Sequence, residues 1–149
     1  MDVHDSLTRS RNMAAVRATN TKPEVLVRKL LHRAGFRFLL HDKRLPGRPD
    51  LVFPRYNAAI FVHGCFWHGH NCHLFTAPKT RSDFWASKIA SNRSRDTIAH
   101  NTLRSMGWRV AEIWECSLKG KGRLSLTSLL EKTSTWLSGD EPFLTVSGE

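Results

Sequence analysis

Leu45-Pro46-Gly47-Arg48-Pro49-Asp50 runs straight into Leu51-Val52-Phe53-Pro54, and after Arg55-Tyr56-Asn57 comes Ala58-Ala59-Ile60-Phe61-Val62, closed by His63-Gly64-Cys65-Phe66-Trp67-His68. The opening six residues are turn chemistry, with two prolines of fixed φ and a glycine free to adopt positive φ between them. The apolar runs 51–53 and 58–62 are short, bounded by chain breakers, and consistent with buried strands. A carboxylate therefore stands at the start of one strand, and an imidazole closes the next about a dozen residues later.

Outward from this stretch, Thr21-Lys22-Pro23-Glu24 has the spacing of a capping box with proline in the first helical turn. Val27, Leu30, Leu31 and Ala34 then form an i, i+3, i+4, i+7 stripe, and Gly35 suits the helix end. Residues 1–20 are polar and basic around Met13, Ala14, Ala15 and Val16, and read as a short helix or ordered arm. Residues 36–41 read as a strand, 81–106 as one or two helices ended by Gly107, 108–114 as a strand, and 124–137 as an amphipathic helix. Residues 139–149 read as a tail. The order α-α-β-β-β-α-β-α predicts an α/β protein with one mixed sheet flanked by helices. The organisation expected is an arm (1–20), a single domain (21–138) and the tail (139–149).

The 149 residues suit one domain with a buried core. Lys plus Arg number 23 against 13 acidic residues, and the formal charge of +10 favours a polyanionic partner, nucleic acid before an acidic membrane surface. No apolar run approaches the ~18 residues of a membrane span. The first residues lack the regions of a secretory signal. Three cysteines are an odd number, which excludes a complete disulfide framework and leads us to expect a reducing, intracellular setting.

Cys65, His70 and Cys72 fall within eight residues, and Cys116 follows the strand at 108–114. Three thiolates and an imidazole make a closed tetrahedral set of the kind that holds structural zinc, tying an irregular loop to a distant strand end. The competing reading is three cysteines buried as small apolar side chains, and His68 or His73 are alternative ligands. A Cys₃His set leaves no open position for catalysis.

Asp50 and the strand end at Val62-His63 reproduce the layout of Mg²⁺-dependent nucleases, in which one strand supplies a carboxylate and its neighbour a second ligand. Taken alone, an Asp before a strand is more often a turn residue. His68 is suited to proton transfer from water, or to metal binding. Glu24 reads first as the capping carboxylate and second as a holder of metal-bound water. Phe66, Trp67, Trp85 and Met13 are large apolar groups in polar surroundings, able to wedge between base pairs or simply to pack. Arg9, Arg11, Arg17, Arg81, Lys88, Arg93 and Arg95 are candidates for phosphate contacts.

Four stretches together resemble one family, the very short patch repair (Vsr) DNA mismatch endonucleases: Thr8-Arg9-Ser10-Arg11-Asn12-Met13, Leu45-Pro46-Gly47-Arg48-Pro49-Asp50, His63-Gly64-Cys65-Phe66-Trp67-His68, and Gly107-Trp108-Arg109-Val110 through Trp114-Glu115-Cys116. The resemblance spans about residues 2–138, and the second and third stretches are its most specific part. It implies a restriction-endonuclease-like fold with a structural zinc. It also implies Mg²⁺-dependent nicking 5′ to the mispaired T of a T:G mismatch, the product of 5-methylcytosine deamination.

Carried over by position, Asp50 and the Val62 carbonyl would hold Mg²⁺, His68 would be the general base, and His63 and Glu24 would hold metal-bound water and the phosphate. Cys65, His70, Cys72 and Cys116 match the zinc set. Phe66, Trp67 and Trp85 match aromatics that wedge from the major groove, while Met13 lies in the arm that enters the minor groove. The resemblance further implies a functional link to a cytosine-5 methyltransferase, a monomer, and a bacterial cytoplasmic, nucleoid-associated setting. Two departures stand out. Val62 replaces a familiar threonine, which a carbonyl ligand tolerates and a hydroxyl contact does not. Gly69 and Asn71 interrupt what is often a longer histidine run.

Overall fold

The computed structural model describes residues 20–149, so the arm expected over 1–20, with Met13, lies almost wholly outside the described residues. Helix α1 (Lys22–Arg33) starts where the capping signal placed it. Thr21 Oγ1 accepts from the Glu24 amide at 3.3 Å, and Pro23 occupies the first turn. The reciprocal arm of the box reaches one residue further back, since Glu24 Oε1 accepts from the Asn20 amide at 3.3 Å. Strand β1 is only Leu39–Leu40, shorter than the strand expected over 36–41, because Phe36 and Phe38 turn instead to pack on the core.

Strands β2 (Leu51–Phe53) and β3 (Ala58–His63) are joined by a single 3₁₀ turn and pair antiparallel, Val52 opposite Ala59. One continuous helix, α2 (Ser82–Ser105), leads to β4 (Arg109–Trp114), which lies parallel to β3 with His63 opposite Trp114. Helix α3 (Leu126–Ser138) follows. The chain then departs from expectation, because the segment read as a tail contributes β5 (Phe143–Val146), parallel to β4. The four residues of β5 alternate, Phe143 and Thr145 exposed while Leu144 and Val146 face the main core, and the strand pairs with β4 along its length.

The result is a five-stranded mixed sheet in the order β1-β2-β3-β4-β5. One face carries the main core, where Val27 and Leu31 of α1 and Leu129, Trp136 and Leu137 of α3 meet Leu51, Phe53, Ile60, Ala111, Ile113 and Val146. Fully burying side chains of this size contributes ~1.5–3 kcal/mol each. Arg109 braces this layer, its guanidinium donating to the carbonyls of Tyr56, Trp136 and Leu137 at 2.8–3.0 Å and lying 4.6 Å from the centre of the Trp136 ring. Helix α2 covers the other face with a smaller apolar cluster of Phe61, Leu103 and Val110. Gly47 makes that packing close. It sits at φ +76°, and a Cβ there would come within 2.7 Å of Ala99 Cβ on α2. Among the described residues, no helix is long and apolar enough to cross a membrane.

Candidate active site and metal centre

Because β3 and β4 are parallel, their carboxyl ends lie together; because β2 runs opposite to β3, its first residue arrives at the same end. This topology gathers the predicted residues. Asp50, Val62, His63 and His68 line one cavity of about 700 Å³, together with His41, Arg48, Trp67, Asn92, Arg95 and Asp96. Asp50 Oδ2 accepts from the Val62 amide at 2.7 Å, which aims the carboxylate along the strand end. Burial pushes the Asp50 carboxyl up to about 8, opposed by the Val62 hydrogen bond and reinforced by the neighbouring Glu24 carboxylate. A cation beside it would offset that burial cost and favour the ionised form.

Glu24 is nearly fully buried, with Oε2 accepting from His41 Nε2 at 2.7 Å and from Arg28 at 3.0 Å. One donor atom from each of Glu24, His41 and Asp50 lies within 4.8 Å of the other two. Glu24 therefore combines the two uses that its position in the sequence left open: it caps α1 and faces Asp50. His41 and Arg48 both adopt left-handed backbone (φ +49°), an energetic cost of the kind that accompanies functional loops.

His68 Nδ1 is hydrogen-bonded to Asp96 Oδ2 of α2, a pairing across 28 residues. With that nitrogen committed, Nε2 is the nitrogen available to accept a proton. His63 is buried beneath it, the two rings 4.2 Å apart. Burial first, then the imidazoles of His68 and His100, hold His63 far below the ordinary imidazole value, so it is neutral. Asn92 donates to the Trp67 carbonyl at 2.8 Å and accepts from Arg95, anchoring the loop after β3 to α2.

Asp96, His41 and Asn92 were not singled out from the sequence, and Arg95 was named there only as a candidate phosphate contact. A signal existed for the helical ones: positions 89, 92, 96, 99, 100 and 103 follow helical spacing, and Asn92, Asp96 and His100 put polar groups on an otherwise inward apolar face.

The second cluster forms behind the groove. Cys65, His70, Cys72 and Cys116 bring one donor atom each within 4.8 Å of the others, and neither His68 nor His73 joins them. His70 Nδ1 is 3.5 Å from both Cys65 Sγ and Cys116 Sγ, and its ring stacks on Trp114 at 4.1 Å. The Cys116 amide donates to Cys65 Sγ at 3.3 Å, and the Gly148 amide to Cys116 Sγ at 3.2 Å. Burial pushes both thiols up, and a positive ion beside them would favour their ionised form. Amides aimed at sulfur and four converging soft donors fit a metal centre. The segment expected to be a free tail thus docks on this cluster through Gly148. Gly69, one of the two departures in the histidine run, has φ +60°, and a Cβ there would meet Ile89 at 2.7 Å. A side chain there would require the Ile89 side chain to shift and would hold left-handed backbone that favours glycine.

Phe66, Trp67 and Trp85 come together with ring centres 5.3–5.7 Å apart, all partly exposed, and Phe66 is 6.1 Å from Phe75. Met13 lies outside the described residues.

The mixed sheet and the carboxylate–imidazole groove at its carboxyl end define a restriction-endonuclease-like protein. Residues 1–74 match the family described as DNA mismatch endonuclease Vsr. The chain is 45% identical over 139 residues to the DNA mismatch endonuclease Vsr of Escherichia coli (strain K12), covering 93% of this chain and 89% of that one. It is 53% identical over 112 residues to the type II nicking enzyme V.XorIIP of Xanthomonas oryzae pv. oryzae (75% of this chain, 82% of the relative). It is 44% identical over 120 residues to the type II nicking enzyme V.NmeAIP of Neisseria meningitidis serogroup A (80% and 86%). The chain belongs to the Vsr family of DNA mismatch endonucleases and is a DNA-cleaving hydrolase.

Proposed function

We propose that this endonuclease nicks one strand of duplex DNA on the 5′ side of the mispaired T in a T:G mismatch left by deamination of 5-methylcytosine, using Mg²⁺ for chemistry and Zn²⁺ for structure. The observation that carries the reading is the convergence of Asp50, Val62 and the His68–Asp96 pair in one groove. Asp50 and the Val62 carbonyl would hold Mg²⁺, a fit supported by two adjoining carboxylates and the raised Asp50 carboxyl. The ion supplies charge stabilisation at the phosphate and acidifies water.

The residues of the chain do the rest. His68, oriented by Asp96, takes the proton of the attacking water on Nε2. Neutral His63 and Glu24 position water and phosphate, and Arg48 and Arg95 bring positive charge to the groove wall. Phe66, Trp67 and Trp85 wedge beside the mismatch, with Met13 entering from the opposite groove. Unstacking costs a few kcal/mol per step and costs least at a mispair, which gives such a wedge its preference. The Cys/His cluster would hold Zn²⁺ and fasten the wedge-bearing loop to the ends of β4 and β5. A monomer acting in the bacterial cytoplasm, on DNA marked by a cytosine-5 methyltransferase, completes the reading.

The test is a nicking assay with Mg²⁺ on end-labelled duplexes carrying one T:G mismatch in several cytosine-methylation contexts, against matched T:A controls. A single nick 5′ to the mispaired T is expected. Cleavage of matched duplexes would favour a restriction-type enzyme, and binding without cleavage in every context would leave a DNA-binding module.

A further inference from the structure

His41 is tied to Asp50 by its backbone and to Glu24 by its side chain, and the reaction proposed above gives it no role. It follows β1, and its amide donates to the Asp50 carbonyl at 3.2 Å, one bond beyond the pairing of β1 with β2. Its ring Nε2 donates to Glu24 Oε2 at 2.7 Å. The backbone there is left-handed, with φ +49°, a conformation that glycine and asparagine adopt most readily. The turn by itself therefore does not call for an imidazole. Glu24 is also held from its own helix: Arg28 donates to Oε2 at 3.0 Å, and the Asn20 amide to Oε1 at 3.3 Å. Those two bonds fix the carboxylate relative to α1, and His41 grips it from the sheet side. Glu24 and Asp50 are adjoining carboxylates, which repel each other while no cation lies between them. Under that repulsion Arg28, four residues along the helix, draws Glu24 away from Asp50. The His41 bond opposes this movement, because His41 is itself anchored to the Asp50 backbone.

We propose that His41 is a positioning residue for the catalytic cation: by holding Glu24 at a fixed spacing from Asp50, it sets the carboxylate pair before the ion arrives. The inference rests on the reading of Asp50 as a Mg²⁺ ligand. Mg²⁺ demands near-ideal geometry, with oxygens at ~2.0–2.1 Å, so a small displacement of a carboxylate that holds the ion or its water is costly. Groups that hydrogen-bond the carboxylates of a metal site set its affinity although they never touch the ion. His41 acts in this way through Glu24, and it is not itself a ligand.

The experiment is a Mn²⁺ titration of the purified full chain, read by the electron paramagnetic resonance signal of the free ion. Mn²⁺ shares the preference of Mg²⁺ for oxygen ligands. His41→Asn suits the left-handed backbone but is too short to reach Glu24, whereas His41→Gln carries an N–H donor at about the reach of Nε2. His41→Asn should weaken Mn²⁺ binding at least about tenfold, the lower end of the loss on removing such a partner. It should raise the Mg²⁺ concentration for half-maximal nicking of a T:G duplex by a similar factor, with an unchanged urea midpoint. His41→Gln should stay within about threefold of wild type in both. His41→Gly, equally at ease in this backbone, carries the test if His41→Asn does not fold. Asp50→Ala is the control: Mn²⁺ uptake that is the same in this variant as in wild type would remove the ion from Asp50, and the proposal with it. If Asp50→Ala loses the ion while His41→Asn keeps wild-type affinity, the Mg²⁺ reading stands and the role of His41 is overturned.

Discussion

Asp96→Asn separates chemistry from structure at this site. The carboxylate of Asp96 meets His68 Nδ1, and the two side chains are 24% and 18% exposed. Asparagine keeps the size of the side chain and a hydrogen-bonding group at this partly buried position, so the variant folds and binds DNA. The consequence for the imidazole is larger. The substituted amide has one face that accepts a hydrogen bond and one that donates. When it donates to Nδ1, the ring proton moves to Nε2 and the nitrogen facing the groove is no longer basic. Positioned general-base catalysis contributes ~10²–10⁴ in rate, or ~2.7–5.5 kcal/mol of barrier. The nicking rate should therefore fall at least about a hundredfold while duplex affinity stays within about threefold of wild type. Single-turnover nicking of a T:G duplex, with enzyme in excess, isolates this step from product release. A variant that nicks within about threefold of the wild-type rate would show that His68 does not act through Asp96, and the proton-transfer role would fall with it.

Other perturbations bear on separate parts of the molecule. Asp50→Ala should retain duplex binding and lose nicking; a gel-shift and nicking assay on one preparation checks both, and normal nicking would remove Asp50 from the active site. Gly47→Ala combines positive φ with a 2.7 Å approach to Ala99, and should cost ~2–4 kcal/mol from strain and overpacking together. Gly35→Ala, with φ +102° and nothing within 4 Å, should cost only the backbone share, ~1–2 kcal/mol; urea denaturation of the pair measures the difference. Cys116→Ser should release the cluster's metal and lower the melting temperature, read by metal analysis and calorimetry on the same sample. Removing residues 143–149 deletes β5 and the Gly148 contact to Cys116, and should destabilise the fold by at least the ~1.5–3 kcal/mol of the buried Val146 side chain. An unchanged urea midpoint would mean that β5 adds nothing to the sheet.

Much of the site was legible because its signals are local. Proline and glycine around Asp50 mark a turn whatever surrounds them, Thr21 and Glu24 act within one helical turn, and Cys65, His70 and Cys72 lie close enough along the chain to be read as one cluster. Long-range pairings leave little trace of that kind. Asp96 reaches His68 from 28 residues away. His100 and Glu112 read singly as an ordinary helix residue and strand residue. The tail became β5 because the edge of β4 offers backbone hydrogen bonds while Leu144 and Val146 reach the main core, and an alternation over four residues is too short to stand out in the sequence.

By itself, then, the sequence determined the element types around residues 45–68, the mixed α/β class, the grouping of Cys65, His70 and Cys72, and the family, since these depend on residue chemistry at short spacing. Tertiary structure decided which strand ends meet. The parallel pairing of β3 with β4 brings Cys65 to Cys116, and the antiparallel pairing of β2 with β3 brings Asp50 to Val62. It also decided that Glu24 serves Asp50 as well as its own helix, and that His63 lies buried between the groove and the His100–Glu112 pair. These outcomes depend on the direction in which distant segments pack, which no local pattern encodes.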